Sequence, residues 1–133
     1  MIAIDASSLA KYVLREENWR DVRNHLLNEP YSLNLALAEV SNAIWKHSVL
    51  YGRISREQAN KMFKALEKLR EVVVFEPFEK YLEDAVKIAM DKNITVYDAL
   101  YIAQAKKIGK LLTSDDKQRK IAEEIGIDVI FIE

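Results

Sequence analysis

Four acidic residues lie in or beside apolar sequence. Asp5 closes Met1-Ile2-Ala3-Ile4-Asp5, and Asp115 closes Leu111-Leu112-Thr113-Ser114-Asp115. Glu39 interrupts Leu35-Ala36-Leu37-Ala38-Glu39-Val40, and Asp98 interrupts Val96-Tyr97-Asp98-Ala99-Leu100. A carboxylate is costly to desolvate unless something compensates its charge. Where several carboxylates meet, the usual compensation is a divalent cation. An oxygen-only donor set selects a hard ion, Mg²⁺ or Mn²⁺, and no His or Cys spacing in the chain suits zinc. Such an ion lowers the pKa of bound water and stabilises charge building on a phosphoryl oxygen; two ions about 4 Å apart clamp both attacking and leaving oxygens. The chemistry indicated is metal-dependent hydrolysis. Asp5 is the expected central ligand, with Glu39, Asp98 and Asp115 completing the shell or holding metal-bound waters.

Each acid also has a structural reading. Asp5 could cap the following helix, Asp98 could close a capping box opened by Thr95, and Asp115 could be an N-cap. Glu39 shares a helical face with Asn42 and Lys46 and could face water. Four such coincidences are harder to accept than one shared site. Ser7, Asn42, Thr113 and Ser114 are the polar neighbours placed to support the acids, each with a capping, strand or surface alternative. Asp116 rivals Asp115, which is favoured because it stands closer to the strand end. His25 and His47 are isolated and expected on helix surfaces; Trp19 and Trp45 are expected in the core. The basic stretch Lys106, Lys107, Lys110, Lys117, Arg119 and Lys120 suits a phosphate backbone, although such runs are more often solvated faces. The chain has no phosphate-binding glycine loop, dinucleotide fingerprint or serine nucleophile elbow.

The elements that must position the acids follow from periodicity. A short strand ends at Asp5, and Ser7-Ser8 offers an N-cap for the helix beginning at Leu9. Helical spacing predicts a helix over 19–27, a strand over 31–33 and a long helix over 35–51 stopped by Gly52. Ser55-Arg56-Glu57-Gln58 is a capping box for a helix to Leu69. Residues 72–75 read as a buried strand, 79–91 as an amphipathic helix, and 96–108 as a central helix apolar nearly all round and ended by Gly109. A strand over 111–113, a helix over 116–124 and a strand over 129–131 complete the series. Strands alternating with helices imply a parallel sheet covered on both faces. In such sheets ligands bind beyond the carboxyl ends of the strands, where Asp5 and Asp115 both fall.

Composition is compatible with this reading. The chain has 133 residues and reads as one domain over 1–133. No cysteine excludes disulfides, thiolate metal sites and a thiol nucleophile. A net charge of −1 argues against a basic nucleic-acid coat protein but not against a nuclease, whose pocket acids offset basic residues elsewhere. No apolar stretch reaches membrane-spanning length, and the N-terminus does not read as a signal peptide. A cytoplasmic protein is expected.

With these residues assembled, the chain resembles the PIN-domain ribonucleases, most closely the VapC toxins of type II toxin–antitoxin systems. The matching pieces are Ile4-Asp5-Ala6-Ser7-Ser8-Leu9-Ala10-Lys11, Ala38-Glu39-Val40-Ser41-Asn42-Ala43, Thr95-Val96-Tyr97-Asp98-Ala99-Leu100-Tyr101-Ile102-Ala103 and Leu111-Leu112-Thr113-Ser114-Asp115-Asp116. Ala122 and Gly126-Ile127-Asp128-Val129-Ile130 follow in order. The resemblance implies a three-layer α/β/α sandwich with a central, mainly parallel sheet, and metal-dependent endonucleolytic cleavage of RNA. It implies that Asp5, Glu39, Asp98 and Asp115 are the catalytic and metal-binding quartet, a homodimer, and inhibition by a cognate VapB-type antitoxin whose tail blocks the acidic pocket. One alternative is a non-catalytic PIN-like module that binds RNA or protein. A phosphoacceptor receiver domain would need an acidic pair after the first strand, where Ala6 and Ser7 follow Asp5. It would also need a Lys after the last strand, and none follows Phe131.

Overall fold

In the computed structural model, which describes residues 1–133, the apolar runs become the strands of one sheet. In chain order, β1 is Ile2–Ile4, β2 Pro30–Leu33, β3 Val74–Glu76, β4 Lys110–Thr113 and β5 Asp128–Phe131. They lie in the order β3-β2-β1-β4-β5, and every neighbouring pair is parallel. The chain therefore moves outward from β1 in one direction through β2 and β3, then returns to place β4 and β5 on the other side. The order reverses between β1 and β4, which is where an open α/β sheet forms its binding crevice. Register sets Ala3 beside Leu111 and Ile4 beside Leu112, so the carboxyl ends of both central strands meet at one edge.

Seven α-helices cover the sheet: α1 Ala6–Leu14, α2 Trp19–His25, α3 Leu35–Trp45, α4 Arg56–Leu69, α5 Leu82–Lys92, α6 Val96–Ile108 and α7 Asp116–Ile125. Helices α1 to α4 pack among themselves and α5 to α7 among themselves. Right-handed crossovers place the first group on one face of the sheet and the second on the other. This is the α/β/α sandwich expected, and every strand pair is parallel. Ile2, Ala3, Ile4, Leu111 and Leu112 are almost completely buried, as strands covered on both faces must be.

Helix α6 explains its lack of an apolar stripe. Every residue from Ala99 to Ala105 is buried, because the helix packs on β1, β2 and β4 and is flanked by α5 and α7. Its one buried amide, Gln104, donates to the Ser32 carbonyl at 2.7 Å and to Glu76 at 3.1 Å, tying the helix to β2 and β3. Gly109 and Gly126 end α6 and α7 in left-handed conformations, with φ of 101° and 91°, which L side chains rarely adopt.

Several local expectations are revised. The long helix after β2 is α3 followed by a π-helical turn over Lys46–Leu50, where Tyr51 N–H reaches back five residues to the Lys46 carbonyl. Asp5, not Ser7 or Ser8, caps α1. The strand read at 72–75 is displaced to Val74–Glu76 and lies at the sheet edge, so Val72 and Val74 are about half exposed. The helix read from Glu79 begins as a 3₁₀ turn over Phe78–Tyr81 before α5. Trp45 is 47% exposed rather than in the core. Trp19 is half-buried, with Arg15, Arg20 and Arg23 stacked over its ring. The Ser55 capping box is present in full. No helix is long and apolar enough to cross a membrane.

Leu112 lies fully buried in a central strand, so Leu112→Ala is expected to lower the unfolding free energy by about 2–5 kcal/mol. Urea titration measures this; a loss of well under about 1 kcal/mol would show that β4 does not pack at the centre.

Candidate active site

Asp5 follows β1 directly and is only 3% exposed. Its position is fixed by a dense set of donors. Ser7 Oγ donates to Oδ1 at 2.6 Å, Ser8 N–H donates to the same oxygen at 3.2 Å, and Thr113 Oγ1 donates to Oδ2 at 2.5 Å. The Thr113 bond crosses from β4 to β1, because the parallel register brings the two strand ends together. Burial pushes the Asp5 carboxyl up to about 6 despite these donors, and the negative charge of Asp115 adds to the rise.

The segment after β4 is braced against α1. Ser114 N–H donates to Ser7 Oγ at 2.9 Å, and the Ser8 and Ser114 hydroxyls share a hydrogen bond of 2.8 Å. Asp115 then caps α7, its Oδ1 accepting from the N–H groups of Lys117 and Gln118 at 2.9 and 3.3 Å. Its own N–H donates to Thr113 Oγ1. The capping reading and the pocket reading of Asp115 thus hold together: Oδ1 serves the helix, and Oδ2 takes no hydrogen bond from the protein.

Glu39 comes from the first turns of α3. Its Oε1 accepts from the Tyr101 hydroxyl at 2.5 Å. Burial holds the Glu39 carboxyl above its ordinary value, and the Asp98 charge acts in the same direction, against the Tyr101 hydrogen bond. Burial first, then the Glu39 hydrogen bond, drive the Tyr101 phenol far above its ordinary range, so it stays protonated and donating. Asp98 stands in the first turn of α6, where its N–H donates to Thr95 Oγ1. Its carboxylate does not return a bond to the cap, so the full capping box is absent, and that carboxylate has no protein partner.

These four acids, from four separate segments, line one small cavity of about 170 Å³ with Ser7, Tyr101 and Gln118. No Lys, Arg or His lines it, and none of the four carboxylates takes part in an ion pair, although such pairs are common elsewhere on the surface. A cavity with this donor set suits a hard divalent cation by its chemistry. Geometrically the shell is unfinished: no three of its carboxylates converge on one point. The reason lies in their other duties, since Asp5 is held by three donors, Asp115 by the α7 cap and Glu39 by Tyr101.

The remaining candidates separate clearly. Ser7, Thr113 and Ser114 surround Asp5 and Asp115. Asn42 is exposed and lies outside the cavity, contrary to expectation. Asp116 is also outside, paired with Arg119 and with Lys120. Half of the basic stretch is ion-paired, with Arg119 also paired to Glu123 and Lys110 to Asp128, while Lys106, Lys107 and Lys117 are in no ion pair. A larger cavity of about 710 Å³ lies between α1, α2 and α4. Arg15, Arg23, Lys61, Lys64 and Lys68 line it and no acid does, so it offers nothing to metal chemistry. Sequence reasoning passed over Tyr101 and Gln118. Their signal was spacing: each stands three residues after an acid, Asp98 and Asp115, on a helix that begins at the cavity.

Comparison with known proteins agrees with this fold. The PIN domain family model matches residues 2–124. The chain is 34% identical over 126 residues to "Ribonuclease VapC3" of Pyrobaculum aerophilum, covering 92% of this chain and 93% of that one. It is 28% identical over 126 residues to "Exonuclease VapC9" of the same organism, covering 95% of this chain and 88% of the relative. Among solved structures it is similar to the crystal structure of PAE2754 from Pyrobaculum aerophilum, with a TM-score of 0.70 and 26% identity over 98% of this chain and 89% of that one.

The state of Asp5 makes a measurable demand on stability. A carboxyl raised from 3.8 to about 6 in the folded protein carries no penalty below pH 3.8 and its full penalty above about pH 6. The cost at neutral pH is about 3 kcal/mol. Asp5→Asn removes it and forfeits about 1 kcal/mol of hydrogen bonding. In EDTA the variant is therefore expected to be more stable than wild type by about 1–2 kcal/mol at pH 8. The advantage should vanish near pH 4. Chemical denaturation at both pH values tests this, and a pH-independent difference would refute it.

Proposed function

The chain belongs to the PIN-domain family, among its VapC-type members, and on that premise we propose that it is a metal-dependent endoribonuclease, the toxin of a VapBC toxin–antitoxin pair. The observation that carries the reading is that four carboxylates from four segments line one cavity that contains no cationic side chain. The names of the two relatives, a ribonuclease and an exonuclease, support nuclease chemistry as the reaction class, and the first of them supports RNA as the substrate.

Asp5, Glu39, Asp98 and Asp115 are the residues that would hold Mg²⁺ or Mn²⁺. A bound ion of this kind supplies an activated water at neutral pH and stabilises negative charge on the phosphoryl oxygens. The chain's own residues supply position. Ser7 and Thr113 orient Asp5, the α7 cap orients Asp115, and Tyr101 orients Glu39. Asp98, bonded to the protein through its main chain only, has the carboxylate with most freedom to meet a ligand. RNA is the proposed substrate, a VapB-type antitoxin that covers the acidic cavity the proposed inhibitor, and a homodimer in the cytoplasm the proposed state of this single nuclease domain.

One observation favours a second reading. Because no three carboxylates converge, a non-catalytic PIN-like module that binds RNA or protein would show the same cavity without turnover.

A single-stranded RNA circle and its linear form, each with Mn²⁺, Mg²⁺ or EDTA, distinguish these readings. Metal-dependent opening of the circle is expected, since only an endonuclease cuts a strand without ends. Asp98→Asn is expected to lower the rate about 100-fold or more while leaving the melting temperature nearly unchanged. Cutting of the linear form alone would make the enzyme an exonuclease. Uptake of Mn²⁺ with no cutting of either RNA would favour the binding module.

A further inference from the structure

Two neutral side chains, Tyr101 and Gln118, connect the acids to one another, and both connections run through α6. Tyr101 lies one turn after Asp98 and is 3% exposed. It reaches from α6 to α3, where its hydroxyl donates to Glu39 Oε1 at 2.5 Å. Gln118 lies in the first turn of α7 and is 4% exposed. Its main-chain N–H donates to Asp115 Oδ1 at 3.3 Å, and its side-chain Nε2 donates to the Asp98 carbonyl at 3.0 Å. One residue thus holds Asp115 through its backbone and the backbone of Asp98 through its side chain.

We propose that Tyr101 and Gln118 are positioning residues: Tyr101 holds Glu39 against α6, and Gln118 sets the spacing between Asp98 and Asp115. The inference rests on the reading of the cavity as a metal site. Its physical basis is the repulsion among four carboxylates that no cationic side chain offsets. Asp98 and Asp115 stand at the cavity ends of α6 and α7, where a neutral donor that joins the two segments opposes their repulsion. Burial adds force to the argument. A buried amide or phenol must spend its donors, and these two spend them on an acid or on the main chain of one. A residue retained for packing alone would need no such aim. Each side chain also leaves a ligand oxygen free. The Tyr101 bond occupies Glu39 Oε1 and not Oε2, while the Gln118 side chain takes the Asp98 carbonyl and not its carboxylate.

The two roles are separable, because Tyr101 acts on Glu39 and Gln118 on the Asp98–Asp115 pair. Tyr101→Phe removes only the hydroxyl. Gln118→Leu keeps similar volume and removes the amide. Mn²⁺ affinity is measured by calorimetry on wild type, each variant and the double variant, with melting temperatures and with kcat and KM on RNA. Gly109→Ala, at the far end of α6, serves as a control for general destabilisation. Each single variant is expected to bind Mn²⁺ about 10-fold more weakly, the range for partners that orient metal ligands. The double variant should show the product of the two losses. In both single variants kcat should fall with little change in KM, and Gly109→Ala should bind as wild type does. Folded variants that bind Mn²⁺ within about twofold of wild type overturn the positioning roles and leave the metal reading standing. So does a loss matched by Gly109→Ala at equal melting temperature. If wild type itself takes up no Mn²⁺, the metal reading falls and takes this inference with it.

Discussion

A carboxylate 3% exposed at the end of a central strand is the constraint around which the rest of this structure is arranged. Asp5 has no cationic side chain beside it, so its charge is met by hydrogen bonds alone: two hydroxyls and a main-chain N–H. One hydroxyl belongs to Thr113, more than a hundred residues later in the chain, and reaches Asp5 only because β4 pairs in parallel with β1. The sheet register, the α1 cap and the route of the segment after β4 are therefore one problem. Burial nevertheless raises the Asp5 carboxyl to about 6, so the folded chain carries an electrostatic cost that a bound cation would relieve.

The four acids differ in how far the protein has already claimed them. Asp5 uses both oxygens in hydrogen bonds, Asp115 uses one to start α7, Glu39 uses one on Tyr101, and Asp98 uses none. This gradient explains how four carboxylates line one cavity without converging. Repulsion separates them, and each local bond holds its carboxylate toward its own donor rather than toward a common point. Capping and metal chemistry are compatible duties here, because a carboxylate has two oxygens and a helix N-terminus needs only one.

Helix α6 is the element that makes this possible. It is buried along its whole middle and held below by Gln104 on β2 and β3. At its upper end it carries Asp98 and Tyr101 and receives the amide of Gln118. A helix buried and tied to the sheet in this way gives the site a fixed reference. By contrast the cavity with a basic lining between α1, α2 and α4 contains none of these acids.

Much of this was legible in the chain. The alternation of apolar runs and amphipathic segments determined a parallel α/β sandwich, because β-branched runs too short for helices must pair, and parallel pairing requires crossovers. The Gly109 and Gly126 stops and the Ser55 cap were also local, since left-handed φ and capping bonds involve only near neighbours. So was the candidacy of Asp5, Glu39, Asp98 and Asp115, acids set where desolvation is costly. What tertiary structure alone decided was long-range. It turned Asp115 rather than Asp116 toward the cavity, left Asn42 and Trp45 in solvent, put β3 at an exposed edge, and brought Tyr101 to Glu39 and Gln118 to Asp98. Local propensity cannot reach these facts, because each depends on the separation between elements far apart in the chain. That separation is set by strand order and by the packing of helices across the sheet edge.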